Sequence, residues 1–406
     1  MLEEQDVQAL LEKVLGYSKA TQTEVLLFAT DRSLTRFANN AIHQHVAETN
    51  TAVSVRAVLG NKIGVASTNK IDDEALRDVV ERATAIASVQ PENPEFKSLP
   101  GPQPITPVNG YSERTEAFGP EERALGVKVI VDRAVSKGYE SAGAFETAIQ
   151  QVAVANSLGV FANHVGTEAE IHVVVMADAG GSGYAQRASM DAGTFDFEAL
   201  ATEAVEKAGR SRNPVELPIG EYRVVLDSYA VGEMLQYLAF MGLSAQAVQE
   251  ERSFMNDHFG EQLAANSVTI YDDAFDPEGG PIGFDFEGVP KQRVAMIDQG
   301  VARAVVYDSF TANREGKENT GHALPAPNTF GPYPTHLMMA AGEAGREELF
   351  KGIERGVYVT RFHYCNIVHP VRTLFTGMTR DGTFLIEHGE LTQPVRSFRL
   401  DRKSVV

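Results

Sequence analysis

The chain has 406 residues, with 36 Lys plus Arg against 55 Asp plus Glu and a net charge of −19. That acidic surplus repels phosphate backbones, and no Lys/Arg run forms a basic patch, so nonspecific nucleic-acid binding is excluded. An apolar content of 43% with 22% charged residues excludes a disordered chain, and one cysteine, Cys365, excludes an intrachain disulfide. The length suits two domains. The N-terminal residues Met1 to Asp6 are acidic where a signal peptide is basic, and no apolar run reaches membrane-spanning length. A soluble cytoplasmic protein is expected.

Val7, Leu10, Leu11, Val14 and Leu15 recur at helical spacing, predicting a helix over residues 3–17. Strands are predicted at Thr23–Thr30, Ser33–Asn40, Ala41–Ala47, Thr51–Leu59 and Lys62–Ser67, the last two joined through Gly60-Asn61 as a hairpin. His43 and His45 share a strand face, a pairing that ordinary packing accounts for better than metal ligation. Asp72 opens a helix that runs to Ser88. Six prolines between Gln90 and Gly110 forbid regular structure and predict a long surface strap between lobes. A helix is expected at Pro120–Lys137, then strands at Glu140–Thr147, Ile149–Asn156, Val160–Gly166, Glu168–Asp178 and Gly183–Ser189, and a helix at Phe195–Ser211. The meander from Gly60 with its helix from Asp72 parallels the one from Gly181 with its helix from Asp196, which predicts an internal duplication. Pro214–Pro218 reads as a linker between domains at 1–215 and 216–406.

Tyr222–Leu226 predicts a strand, Asp227 and Ser228 are good helix caps, and Val231, Met234, Leu235 and Leu238 form an apolar stripe that stops at Gly242. At about 100° per residue Glu233, Tyr237 and Phe240 fall on the opposite side. That helix is either covered on both faces or lines a cavity. Two glycine-turned hairpins follow, at Val294–Tyr307 and Thr383–Leu391, and a short helix is expected at Ala344–Arg355 between strands His336–Ala341 and Val357–Phe362. The fold class is α+β: an N-terminal lobe of antiparallel meanders, and a strand-rich C-terminal lobe that is barrel-like or a curved sheet.

The strand, cap and Gly232-Glu233-Met-Leu-Gln-Tyr237 resemble the metal-helix segment of the TldD/PmbA proteins. Leu34–Gln44, Phe286–Pro290, Asn319–His322 and Phe384–Pro394 resemble further phrases of that family, in its order. In the peptidase branch the helix reads His-Glu-x-x-x-His. Here Gly232 and Tyr237 stand at the histidine positions and Glu233 at the glutamate. Glycine cannot ligate, and a phenol is a poor substitute for imidazole. The chain therefore resembles the PmbA (TldE) branch, which lacks the zinc ligands. The resemblance implies a subunit without its own metal or other cofactor. Such a subunit completes, with a TldD-like metallopeptidase paralogue, a chamber that cleaves unfolded or short peptides, and zinc is expected only in the partner. The family's other name, modulator of DNA gyrase, implies no DNA contact for so acidic a chain.

Two alternatives stay open: a homodimeric peptide-binding scaffold without hydrolytic activity, and a peptidase with an unrecognised site. His363, Cys365 and His369 lie within seven residues, and on a strand His363 and Cys365 share a face, yet the spacing is not that of a structural zinc site. Arg380 and Asp381, brought beside Arg361, would bind a carboxylate end, although a hairpin turn stabilised by the Asp side chain is the better account. Glu233 is a candidate general base only if a metal water lies beside it. No phosphate loop, nucleophile elbow or dinucleotide fingerprint is present.

Overall fold

The computed structural model describes residues 1–400. Its N-terminal half is built from helix α1 (Glu4–Tyr17), strands β1 (Gln22–Ala38), β2 (Ala41–Leu59) and β3 (Lys62–Thr68), and helix α2 (Asp73–Val89). After the strap come the single-turn α3 (Glu113–Glu116), helix α4 (Pro120–Ser136), strands β4 (Glu140–Asn156), β5 (Phe161–Met176) and β6 (Ser182–Ser189), and helix α5 (Phe197–Arg210). One antiparallel sheet of order β3-β2-β1-β4-β5-β6 carries both halves, with β1 against β4 from Glu24↔Asn156 to Phe37↔Gly143. Helix, three strands, helix is thus repeated about the β1–β4 seam. The shared packing goes down to single atoms. A Cβ on Gly64 would lie 2.2 Å from the Ala83 carbonyl oxygen in α2, and one on Gly183 would lie 2.1 Å from that of Ala204 in α5. Two separate cores result, Val25, Leu27, Val55 and Leu76 under α2, and Phe145, Ile171, Val173 and Leu200 under α5.

The strands are longer than the sequence suggests. β1, β2, β4 and β5 each span what reads as two, because polar stretches such as Thr30–Ser33 resemble turns. Backbone pairing nevertheless runs on through them, with Asp31↔Thr49 and Arg32↔Glu48. The reversal between β1 and β2 is the Asn39-Asn40 pair, both with positive φ (50° and 60°). The proline segment is irregular, and it does strap the lobes together: Phe96 and Leu99 bury against Val58, while Ile105 packs with Ile282 and Phe286.

The C-terminal half opens with strand β7 (Arg223–Leu226), helix α6 (Ser228–Gly242) and the short helix α7 (Ala245–Gln249). One sheet has the order β10-β9-β8-β11, from β8 (Ile270–Asp272), β9 (Val294–Asp298), β10 (Val301–Ala302) and β11 (Leu337–Met339). The short helix α8 (Ser309–Glu315) lies between its strands in the chain. A second sheet is formed by β12 (Arg355–His369), β13 (Leu374–Glu387), β14 (Glu390–Pro394) and β15 (Arg399–Leu400), with β7 parallel to β12. Both sheets are open, so the barrel-like alternative falls and the α+β class stands. Both glycine-turned hairpins form, at Gln299-Gly300 and His388-Gly389, each residue with positive φ. The expected helix at Ala344–Arg355 is only the 3-10 turn Arg346–Leu349: residues 341–349 are all exposed, so no apolar face supports a longer one. No helix among the described residues is long and apolar enough to cross a membrane.

Candidate functional site

Asp227 starts α6, its Oδ1 accepting from the Ser228 amide at 2.7 Å, and α6 is covered on both sides. Val231, Leu235 and Leu238 enter the core with Met255, Ile270 and Met296. Ala230 and Met234 turn the other way, onto Val357, Val359, Phe362 and Phe375 of β12 and β13. Met234 therefore leaves the expected stripe. Phe240 is 43% exposed and its ring lies 5.0 Å from that of Tyr333.

On the face toward β12 the Glu233 carboxylate, the Tyr237 ring and the Cys365 side chain meet. Tyr237 donates its hydroxyl to the Cys365 carbonyl oxygen at 2.9 Å and stacks on Phe375 with centroids 5.7 Å apart and planes 5° from parallel. The Cys365 thiol lies beside the Glu233 carboxylate. Burial, and then the adjacent Glu233 charge, push that thiol up to about 12. Burial also raises the Tyr237 phenol, with Cys365 and Glu233 adding to it. Neither group is therefore poised as an anion at neutral pH, which weighs against a thiolate nucleophile at Cys365. Gly232 is exposed, and a Cβ on it would meet nothing within 4 Å. Zinc wants three or four nitrogen, thiolate or carboxylate donors converging on one point. Position 232 has no side-chain donor, the phenol at position 237 is committed to the Cys365 carbonyl, and the Glu233 carboxylate and Cys365 thiol are only two donors. The residues present do not fit a zinc ion, and no cluster of three His, Cys, Asp or Glu able to hold a metal occurs among the described residues.

The other candidates separate. A bulge between His363 and Asn366, with Tyr364 at φ 57°, breaks the alternation that would put His363 and Cys365 on one face. His363 and His369 are exposed while Cys365 is half-buried. Arg361 and Asp381 do come together: the Arg361 Nε donates to Asp381 Oδ2 at 2.7 Å, and the guanidinium lies 4.1 Å above the Tyr184 ring of β6. Asp381 is only 4% exposed, so the pair is closed upon itself rather than open to a ligand. Arg380 is exposed, with its Nε 3.9 Å from the same carboxylate oxygen. Thr379–Thr383 is not a hairpin turn but an irregularity inside β13, where Asp381 and Gly382 have φ of 56° and 114°. His43 and His45 are exposed on β2, and His45 Nδ1 pairs with the Thr35 hydroxyl at 3.0 Å.

Two groups of buried charges escaped the sequence reading. Arg56 of β2 spans Glu24 of β1 (2.5 Å) and Glu287 of the C-terminal half (3.0 Å). Burial pushes Glu24 up to about 7, and burial with the nearby Glu287 charge does the same for Asp285. Asp272 and His322, both fully buried side chains, pair at 2.9 Å. The signal was present in the phrases Phe286–Pro290 and Asn319–His322, but no spacing rule assigns such residues a partner far along the chain.

Comparison with known proteins places this geometry. Profiles of one family match three stretches: PmbA/TldA metallopeptidase domain 1 at residues 23–87, the central domain at 116–212, and the C-terminal domain at 219–404. A metalloprotease TldD homolog of Haemophilus influenzae is 26% identical over 374 residues, 86% of this chain and 76% of its own length. A metalloprotease of Methanothermobacter thermautotrophicus is 26% identical over 302 residues, 71% of this chain and 63% of its own. The crystal structure of TldE from Thermococcus kodakarensis superposes with a TM-score of 0.88 at 20% identity, covering 97% of this chain and 90% of that one. The chain belongs to the PmbA/TldD metallopeptidase family.

Proposed function

We propose that this chain is a zinc-less subunit of that family, which walls a peptide-processing chamber together with a metal-bearing paralogue and leaves hydrolysis to that partner. The observation that carries the proposal is the pairing of Gly232 with Tyr237. One histidine position is empty of side chain, and the other is filled by a phenol committed to the Cys365 carbonyl and the Phe375 ring. Glu233, the one group kept from His-Glu-x-x-x-His, lies beside the Cys365 thiol and has no histidine at positions 232 or 237 to hold a metal-bound water next to it. The raised thiol, and the bulge that parts it from His363, both weigh against the alternative of a peptidase centred on His363 and Cys365. The lone cysteine suits a cytoplasmic setting.

The test is reconstitution. Purified chain alone should release no product from an unfolded casein substrate. Chain mixed with a paralogue that carries His-Glu-x-x-x-His should do so, and a chelator should stop it. Chelator-sensitive turnover by this chain alone would overturn the proposal.

A further inference from the structure

Strands β12 and β13 run on past the rest of their sheet as a ribbon. β7 pairs with β12 only over Gly356–Val359, so from Thr360 outward no strand lies on that side of β12. Tyr237 and Phe375 hold the ribbon to α6. Its outer end is apolar and in solvent: Tyr364 is 74% exposed, and Ile367, Val368 and Val371 are exposed close by in the chain. Large apolar side chains grouped in this way mark a contact with another protein.

The charge of the ribbon is as unusual as its exposure. Between Arg355 and Arg380 there is no Asp or Glu, in a chain that has 55 of them and a net charge of −19. His363, His369 and Arg372 are exposed there, and Arg372 makes no ion pair among the described residues. The opposite charge lies at the other end of the same strand. Residues 341–349, which lead toward β12, are all exposed. Arg346 of that loop turns inward onto Asp227 and Tyr358, and Glu348 pairs with Lys351. Glu343 and Glu347 are left without an ion pair among the described residues. Tyr358, where the loop is pinned, stands about 30 Å along β12 from Val368, and Tyr364 lies near the midpoint.

We propose that the β12–β13 ribbon is a self-association surface, on which a second copy of this chain lies antiparallel about a two-fold axis. A positive end and a negative end on one strand complement a second copy in that orientation, so Arg372 of each faces Glu343 and Glu347 of the other. Tyr364, the most exposed of the apolar group, meets its own counterpart at the axis, where an aromatic anchor contributes most. The inference does not rest on the zinc-less reading, because self-association is a property of this chain alone.

The test is sedimentation equilibrium of the full chain. Its mass should rise to that of two chains at micromolar concentration and fall back toward one in about 0.5 M salt. Tyr364→Asp should weaken the dimer by about tenfold or more. Arg372→Glu should weaken it as well, and adding Glu343→Lys and Glu347→Lys to that variant should restore it. These exposed positions decide the matter if Tyr364→Asp fails to fold. A one-chain mass at every concentration, as for a ribbon reserved for a paralogue, would overturn the assignment. So would a dimer that Tyr364→Asp leaves intact, or an Arg372→Glu loss that the exchanged charges do not recover.

Discussion

The hydroxyl of Tyr237 donates to the backbone carbonyl of Cys365 across 128 residues of chain, at 2.9 Å. The bond ties the middle of α6 to the bulge of β12 at the position that, by the resemblance, corresponds to the second histidine of His-Glu-x-x-x-His. Tyr237→Phe keeps the stacking on Phe375 and loses only this bond, so it should cost about 1 kcal/mol in urea unfolding. Tyr237→Ala also loses the ring and should cost about 3–5 kcal/mol. Equal effects of the two would mean that the ring contributes nothing to holding α6 on the sheet.

Gly232 lies mid-helix, exposed, with open space where a side chain would project. Gly232→Ala should stabilise the isolated chain by roughly 0.5–1 kcal/mol, from helix propensity alone. A destabilised variant would contradict the open space at this position.

Gly64 and Gly183 press strands β3 and β6 onto α2 and α5 at matching places in the two repeats. Neither has positive φ, so space and not backbone freedom requires glycine there. Gly64→Ala and Gly183→Ala should each lower stability by about 1–3 kcal/mol, read from the unfolding midpoint. A loss at only one of them would argue against equivalent packing in the repeats.

Glu24 and Asp285 are carboxyls whose pKa values are raised to about 7 in the folded state. Folded chain then binds more protons than unfolded chain between about pH 4 and 7, so the contribution of these groups to stability is largest at acid pH and is lost as pH rises to 7. Glu24→Gln should flatten that part of the stability profile, measured as urea midpoints across pH 4 to 8. Asp227 and Asp272 have the opposite sign. Burial alone would raise them, but Lys207 and Tyr358 hold Asp227 down, and His322 holds Asp272 down. Their contribution is present at neutral pH and is lost on acidification.

The parts of the fold governed by local pattern were legible in the sequence: the helix periodicities, the glycine turns, the proline strap, and the repeat seen in Gly60–Ala83 and Gly181–Ala208. Strand length was not, because a long strand paired on both sides, as β1 is with β2 and β4, carries polar residues such as Asp31 and Arg32 that read as a turn in the sequence. The site divides in the same way. That position 232 offers no side-chain donor and position 237 only a phenol could be read from residue type alone. That Cys365 meets Glu233, while His363 and His369 stay in solvent, depends on one extra residue in β12 that no alternation rule contains. The Arg56–Glu24–Glu287 bridge joins residues 231 apart, a separation at which sequence pattern is silent.

The central claim is that the donors on α6 and β12 do not make a zinc site. Elemental analysis of the purified chain after incubation with zinc and buffer exchange tests it most directly. The account predicts well under one zinc per chain, with Gly232→His/Tyr237→His in the same chain gaining the metal. One zinc per wild-type chain, lost on Glu233→Gln or Cys365→Ser, would contradict it.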